Sequence, residues 1–294
     1  MALDRPATWV VVNTRPRGQS EPLTRLFSTR GFSVLPFPAL EISPVLAPND
    51  PAFLSLADSL ANTDCLVFTS GNAVRLLAAY LERNATREVS RKFFSLRAAA
   101  VGEKTAQRAR MLGIEVEVIP AAANSDALGA SLVDAATRSG GTLHSCRRFI
   151  LFRGKLAAPG VQRALEAAGL AYEELVVYES RCPRYEPAEL QLIATVLGMW
   201  GSEARAQSPV LVVTSSQAAR NLVLMLERYA VSEKLAESQW RHELSLVPVV
   251  AIGPKTEKTA SQLGLRVAAV APYPSDESLV SAVESILATE DKKD

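Results

Sequence analysis

The sequence predicts an α/β protein made of two similar, doubly wound parallel sheets. Two observations indicate this fold. Short apolar runs alternate with longer segments of helical period, and several passages occur twice. AVGEKTAQRARMLGIEVEVIP starts at residue 100, and AIGPKTEKTASQLGLRVAAVA starts at residue 251. A repeat this long indicates a duplicated domain rather than a solenoid, and two similar domains are expected to frame a cleft.

Three further passages support the duplication. Arg15 precedes Gly31 by 16 residues, and Arg153 precedes Gly169 by the same 16. The other two are short motifs, namely Thr69-Ser70 with Thr214-Ser215, and NSDAL at 124–128 with PSDESL at 274–279. Each repeated motif lies next to an apolar run, so the two copies share an order of elements as well as residues.

Ten apolar runs are predicted strands. They lack polar alternation, which is typical of parallel strands covered on both faces. They lie at residues 9–13, 33–37, 65–69, 97–101, 116–119, 148–152, 173–178, 210–214, 247–252 and 267–270. Helical patterns lie between them. Residues 21–31 place Leu23 and Phe27 on one face, and residues 160–169 repeat the design with Val161 and Leu165.

Two proline-bearing stretches, residues 36–48 and 179–187, interrupt this rhythm and are predicted linkers. They favour one domain between the linkers and another built from both ends of the chain. A division near residue 145, where the repeat begins again, would instead give two continuous domains. Residues 200–209 and 228–246 are polar and predict irregular surface connections, and the charged tail 288–294 is expected to fray.

Composition excludes several classes of protein. A length of 294 residues favours two domains. The 32 basic and 31 acidic residues argue against a nucleic-acid binder. No apolar run approaches a membrane span, and the start of the chain does not resemble an export signal, so we expect a soluble cytoplasmic protein. Three cysteines without CxxC spacing fit a reducing compartment.

The usual catalytic motifs are missing from the sequence. His144 and His242 lie in polar stretches without metal-ligand spacing, and no nucleophile elbow or dinucleotide fingerprint is present. The Gly-x-Lys-Thr segments at 102–105 and 253–256 lack the upstream glycine and adjacent Gly-Lys of a phosphate loop. These segments therefore give no motif for a metal ion or a nucleotide.

Small hydroxyl and basic side chains remain as candidate site residues. They follow predicted strands, at the sheet edge where doubly wound proteins bind ligands and where helix N-termini attract anions. Helix capping alone would explain the hydroxyls, and solvated loops the charges. Tyr178, before the second linker, would lie near the cleft or be an ordinary strand tyrosine. The candidate binding residues are Arg15, Ser70, Thr105, Arg153, Ser215, Ser216 and Thr256.

Taken together, these motifs resemble the uroporphyrinogen-III synthase family. VNTRP, FTSGNAV, AVGEKTA, NSDAL, VVYES, VVTSSQA, AIGPKTEKTA and PSDESL carry the likeness, in order, from about residue 9 to 285. The resemblance implies two flavodoxin-like domains joined by a two-stranded β-ladder with a cleft between them. It assigns residues 1–37 with 185–294 to one domain, 43–175 to the other, and 38–42 with 176–184 to the linkers.

The resemblance also implies an activity. Family members are cyclising lyases of haem biosynthesis that close hydroxymethylbilane to uroporphyrinogen III, with loss of water and inversion of ring D, and need no cofactor. By position, Tyr178 matches the family tyrosine proposed as general acid. Ser70, Thr105, Ser215 and Thr256 match cleft positions, and Arg15 matches the first-strand arginine. One departure is Ser215-Ser216-Gln217 in place of Ser-Pro, which leaves open which serine faces the substrate. A monomer is expected.

Two other functions stay open on the sequence. A non-enzymatic two-domain protein that binds a small anionic molecule would share the duplicated halves and the cleft. A phosphate transferase using the Gly-x-Lys-Thr junctions would need a metal-holding carboxylate, for which Asp126 and Asp276 are the repeated candidates.

Overall fold

A computed structural model describes residues 9–200 and 207–290 of the chain, without the side chains of residues 289 and 290. Contacts between Cα atoms divide the chain into two compact units. Unit 1 is Met1–Glu41 with Arg181–Asp294, and unit 2 is Ile42–Ser180; only their described residues are discussed. The finer division into domains and linkers, at residues 38–42 and 176–184, stays a prediction.

Unit 1 contains a five-stranded sheet in the order β11-β10-β9-β1-β2, in which every pair of neighbours is parallel. Its strands are β1 Trp9–Asn13, β2 Ser33–Pro36, β9 Ser208–Val213, β10 Pro248–Ala251 and β11 Arg266–Val270. Its helices are α1 Arg17–Thr29, α8 Pro187–Leu197, α9 Ser216–Ser232, α10 Glu237–Leu246, α11 Pro254–Gln262 and α12 Asp276–Glu290.

Unit 2 contains a six-stranded sheet in the order β3-β8-β7-β4-β5-β6. Its strands are β3 Glu41–Pro44, β4 Asp64–Phe68, β5 Arg97–Ala100, β6 Val116–Val118, β7 Arg148–Gly154 and β8 Tyr172–Arg181. Its helices are α2 Pro51–Ser59, α3 Gly71–Asn84, α4 Arg87–Phe94, α5 Glu103–Arg110, α6 Ser125–Thr137 and α7 Gly160–Ala167. The five strands from β8 to β6 are parallel to their neighbours.

Each sheet is covered on both faces, which explains the unbroken apolar runs. In β1, Val11 packs in the core with α1 and α12, while Val12 packs in the opposite core with α8, α9 and α10. In β4, Leu66 and Val67 divide in the same way between the two cores of unit 2. Because successive strand residues face opposite sides, both sides must be apolar.

The two sequence copies exchange strands. The first copy supplies β1 and β2 to unit 1 but β4, β5 and β6 to unit 2, and the second copy supplies the remaining repeated strands. The strands β9, β10, β11, β1 and β2 of unit 1 correspond to β4, β5, β6, β7 and β8 of unit 2. With this correspondence, the spatial order β11-β10-β9-β1-β2 is the same as β6-β5-β4-β7-β8. Each unit is therefore completed by strands from both copies.

The predicted α/β class with parallel sheets is confirmed, and each of the ten predicted strands coincides with an observed strand to within a few residues. The helical predictions for residues 21–31 and 160–169 also correspond to α1 and α7, followed by Gly31 and Gly169 at positive φ. The strand β3 was not among the ten, because its proline-rich surroundings indicated a linker.

The prediction of an irregular connection at residues 228–246 is wrong. The end of α9 and all of α10 occupy this segment. Trp240 and Leu244 of α10 are 2% and 3% exposed and pack in the core of unit 1. Two apolar residues four positions apart suffice to anchor a short helix, although its overall composition is polar. Residues 201–206 and 291–294, which fall in the other predicted connection and the predicted frayed tail, lie outside the described residues.

Candidate functional site

The carboxyl end of β4 leads directly into α3 and places two hydroxyl groups there. The Thr69 hydroxyl donates to the carbonyl of Phe152 on β7, at 3.2 Å, and so ties the two strand ends together. Ser70 is the N-cap of α3, and its Oγ accepts the backbone N–H of Ala73 at 3.1 Å. The capping explanation for Ser70 is therefore correct, and it leaves the serine proton available for a second bond.

That second bond joins Ser70 to Tyr178. The two hydroxyl oxygens lie 2.9 Å apart, and either group can be the donor. Tyr178 is half-buried and packs against the core that contains Ala73 and Val74 of α3. The structure thus brings together two residues, 108 positions apart, that the sequence indicated separately.

A β-bulge in β8 aims Tyr178 at this helix. Arg153 of β7 is opposite Val176, but Gly154 is opposite Tyr178, so Val177 is an extra residue on β8. Val177 is buried in the same core as α3, and strict alternation would turn Tyr178 to the other face of the sheet. Because the bulge resets the alternation, Tyr178 also faces α3.

Ser215 is the counterpart of Ser70 in unit 1. It is the N-cap of α9, and its Oγ accepts the N–H of Ala218 at 3.0 Å. The neighbouring Ser216 donates its hydroxyl to the carbonyl of Lys255, at 3.1 Å. Of the two serines, Ser215 therefore has the geometry of Ser70, while Ser216 joins α9 to α11.

Thr105 and Thr256 occupy equivalent positions in the first turns of α5 and α11. The N-caps of these helices are Gly102 and Gly253, and neither cap bonds through a side chain. The threonines are only 6% and 5% exposed. Both threonines are thus largely withdrawn from the surface, and their backbone N–H groups donate to the carbonyls of Gly102 and Gly253 at 3.0 Å. The exposed residues of these turns are Glu103, Lys104, Pro254 and Lys255.

Arg15 and Arg153 each have an acidic partner within their own unit. Arg15 lies 2.6 Å from Asp276, at the start of α12. Arg153 lies 2.9 Å from Glu174 and also donates to the carbonyl of Ala157 at 2.7 Å. A bound carboxylate would have to share these guanidinium groups with the acidic partner or displace it.

Arg108 is a basic residue beside the N-terminus of α3, where Ser70 is the cap, and sequence reasoning missed it. A Cβ built on Gly71, the first residue of α3, would lie 2.7 Å from Arg108 Nη1. The guanidinium of this exposed side chain therefore lies beside the N-terminus of α3. Within residues 9–200 and 207–290, Arg108 has no ion-pair partner. Its position in the middle of a helical pattern gave no signal, because only the packing of α5 on α3 brings it there.

Several shifted pKa values are found elsewhere in the two units. The hydrogen bond between the thiols of Cys65 and Cys146 raises the pKa of the buried Cys65 and lowers that of Cys146. Burial raises the pKa of Tyr185 to about 12. Tyr185 stacks on Phe37 and donates to the carbonyl of Pro38, so we assign it a packing role in unit 1.

The described residues contain neither a metal-binding cluster nor a membrane-spanning helix. No group of three or more His, Cys, Asp or Glu side chains there is arranged to hold a metal ion. The repeated carboxylates that a transferase would need are paired with arginines, Asp276 with Arg15 and Asp126 with Arg163. No described helix is both long and apolar enough to cross a membrane. The expectation that no cofactor is needed stays a prediction.

Comparison with known families decides what kind of protein this is. Residues 21–281 match the family model described as "Uroporphyrinogen-III synthase HemD". The chain belongs to the uroporphyrinogen-III synthase family. The resemblance stated from the motifs is therefore confirmed, and the alternative of a non-enzymatic binding protein is not favoured.

Relatives and solved structures agree with this family. The uroporphyrinogen-III synthase of Chlorobaculum parvum is 27% identical over 94% of this chain and 98% of its own. That of Synechococcus elongatus is 29% identical over 93% and 94%. The structure of a Thermus thermophilus mutant synthase covers 95% of this chain and 99% of its own, with a TM-score of 0.57 at 18% identity. The Helicobacter pylori enzyme covers 94% and 98%, with a TM-score of 0.59 at 16% identity. These two structural likenesses concern the fold.

Proposed function

We propose that this member of the uroporphyrinogen-III synthase family closes hydroxymethylbilane to uroporphyrinogen III, with Tyr178 as the general acid. Family membership supports the reaction, which is that of a cyclising lyase in tetrapyrrole biosynthesis. The contact of 2.9 Å between the hydroxyls of Tyr178 and Ser70 supports the role of the tyrosine. It holds a proton donor at the carboxyl edge of the unit 2 sheet, beside a helix N-terminus.

The proton transfer accounts for the loss of water. Tyr178 donates its proton to the hydroxyl of ring A as the carbon–oxygen bond breaks, so that water and an azafulvene cation form. The phenolate left on Tyr178 accepts a hydrogen bond from the Ser70 hydroxyl, and the N-terminus of α3 favours the negative charge. The proton released when the new ring closes returns to the phenolate, so the cycle is balanced.

Isomer choice depends on the conformation in which the substrate is held. The linear substrate closes without help to isomer I, whereas isomer III requires ring D to attack through its substituted carbon. The enzyme must therefore fix one folded conformer, which is an orientation effect. Many modest contacts to the eight substrate carboxylates suit this task better than a single strong one.

Helix N-termini with little competing negative charge are the anchors we propose for those carboxylates. The first turns of α3 and α9, both within the described residues, carry no acidic side chain. Arg108 adds a guanidinium at α3. The Ser215 hydroxyl, whose oxygen accepts the cap bond, can donate its proton, whereas the Ser70 proton serves Tyr178. The turns at Thr105 and Thr256 add two more helix N-termini. Arg15, Arg153 and Ser216, which already have partners, contribute mainly by shaping these loops.

The proposed reaction is tested by which isomer of uroporphyrinogen the protein forms. Hydroxymethylbilane is incubated with the protein, and isomers I and III are separated by chromatography against a control without enzyme. We expect isomer III, formed faster than the spontaneous isomer I and at an unchanged rate with a chelator. Isomer I at the control rate would refute the proposed reaction.

Tyr178→Phe tests the acid separately. It removes one hydroxyl and keeps the ring in place, so we expect kcat to fall by roughly 10²–10⁴-fold with little change in thermal stability. A Phe variant with the turnover of the wild type would remove Tyr178 from the mechanism while leaving the reaction assigned.

We also propose that the protein acts as a monomer, which sedimentation under assay conditions would check.

A further inference from the structure

The ring of Tyr178 occupies the space where a side chain on Gly154 would stand. A Cβ built on Gly154 would lie 2.6 Å from Cζ, 2.7 Å from Cε2 and 2.9 Å from the hydroxyl oxygen of Tyr178. These are the three nearest heavy atoms, and all belong to the reacting end of one side chain. Even an alanine at position 154 would therefore force the phenol to move.

The backbone gives no other reason for a glycine here. Gly154 is the last residue of β7, and it is not among the glycines with positive φ, so an L-residue could adopt its conformation. In the other sequence copy the residue after the repeated arginine is Pro16. That copy also has Leu40 nine residues after Gly31, where the present one has Tyr178 nine residues after Gly169. The glycine and the tyrosine therefore occur together in one copy and are both replaced in the other.

Three constraints fix the tyrosine hydroxyl. The bulge at Val177 chooses the face of the sheet, and the Ser70 hydroxyl binds the phenol at 2.9 Å. The missing side chain of Gly154 lets the ring lie directly against the end of β7. Without that space, the bulge would still direct Tyr178 to α3, but the phenol could not keep its position relative to Ser70.

We infer that Gly154 is a positioning residue for the reaction, acting by admitting the Tyr178 ring to the place from which its hydroxyl donates. The inference rests on the proposed role of Tyr178. It differs from a packing role because the group displaced by a larger residue is the proton donor itself. A shift of about 1 Å in a reacting group can cost on the order of 10²-fold in rate.

The first test compares Gly154→Ala with Gly18→Ala. A Cβ at Gly18, in α1, would meet no described atom within 4 Å, so this control should keep both kcat and KM. We expect Gly154→Ala to lower kcat by about 10- to 100-fold, with a much smaller change in KM. In the Tyr178→Phe background the same substitution should lower kcat no further, because the donor is already absent. An unchanged kcat, or losses that multiply in the double variant, would overturn the inference.

The second test uses stability and applies even if Gly154→Ala folds poorly. Thermal unfolding is measured for Gly154→Ala in the wild type and in Tyr178→Ala. We expect the alanine to lower the Tm in the wild type and not in Tyr178→Ala, where the clashing ring is absent. Equal Tm losses in both backgrounds would show that the strain lies elsewhere, and the inference would fail.

The two tests also separate this inference from the proposed function. If the wild type did not form isomer III, or if Tyr178→Phe were fully active, the proposed chemistry would fail. The Tm comparison would then still report whether Gly154 makes room for Tyr178. If instead Tyr178→Phe is inactive and Gly154→Ala is fully active, only the positioning role is lost.

Discussion

Replacing Ser70 with alanine should damage stability and catalysis by separate, calculable amounts. The Ser70 Oγ accepts the N–H of Ala73 at 3.1 Å, and loss of such a cap costs about 1 kcal/mol. For a domain of this size, that corresponds to a fall in Tm of about 2–4 °C. The same oxygen lies 2.9 Å from the Tyr178 hydroxyl, which in our mechanism becomes a phenolate.

The catalytic part follows from that charge. A hydrogen bond to a charged group is worth about 1.5–3 kcal/mol. Since about 1.4 kcal/mol corresponds to a factor of ten in rate, Ser70→Ala should lower kcat by about 10- to 150-fold. A neutral hydrogen bond from Ser70 to a substrate group, worth on the order of 1 kcal/mol, would cost less, about fivefold.

Ser215→Ala is the matched control. Ser215 caps α9 through an equivalent bond of 3.0 Å to Ala218, and the bond that the structure gives its side chain is this cap. Both variants should lower the Tm through the lost cap, and Ser70→Ala somewhat more, because it also loses the hydrogen bond to Tyr178. Ser70→Ala should also show the larger loss of kcat in the isomer III assay. Equal losses of kcat in the two variants would refute the argument that Ser70 acts through Tyr178.

Two further predictions concern stability. Arg148→Met should lower the free energy of urea unfolding by about 3 kcal/mol or more, because it leaves Asp64 without its cation. Asp64 is 3% exposed and lies 2.6 Å from the guanidinium. Adding Asp64→Asn to this variant should restore part of the loss, and an Arg148→Met variant as stable as the wild type would contradict this account. Burial raises the pKa of Tyr185 to about 12, above the value of about 10 for an unfolded tyrosine, so its neutral phenol stabilises the folded state below pH 10 and this contribution is lost as the pH rises towards 12. The fall in Tm between pH 10 and 12 should therefore be smaller in Tyr185→Phe than in the wild type, and equal falls would show that another group is responsible.

The strands were predictable from sequence because burial on both faces leaves a local signal. Val11 and Val12 face opposite cores, so β1 is apolar without interruption. The short helix α10 was missed because two buried residues, Trp240 and Leu244, fix it within a polar segment. Composition averages over such a segment, whereas packing depends on a few positions.

The capping residues of the site could also be predicted from local sequence, whereas the contacts between distant residues could not. Ser70 and Ser215 follow strands and open helices, so their capping roles can be recognised from neighbouring residues. The partner of Arg15 could not be predicted, because Asp276 is distant in sequence and is brought close only by the fold. The contact between Gly154 and Tyr178 depends on a bulge, and an extra residue in one strand leaves no mark on the sequence pattern of the other.

The exchange of strands between the two copies sets an order of events on the ribosome. β1 lies between β2 and β9 in the unit 1 sheet, and the bond from Thr14 to Val212 at its end joins residues 198 positions apart. At about 5–20 residues per second, the first strand waits on the order of 10–40 s for its neighbour to be synthesised. All of unit 2 emerges during that interval and can fold first. Val11 can pack early against α1, but Val12, whose core is built largely from α8, α9 and α10, stays uncovered meanwhile. We therefore expect the beginning of the newly made chain to need protection from aggregation long before the segment that will cover Val12 exists.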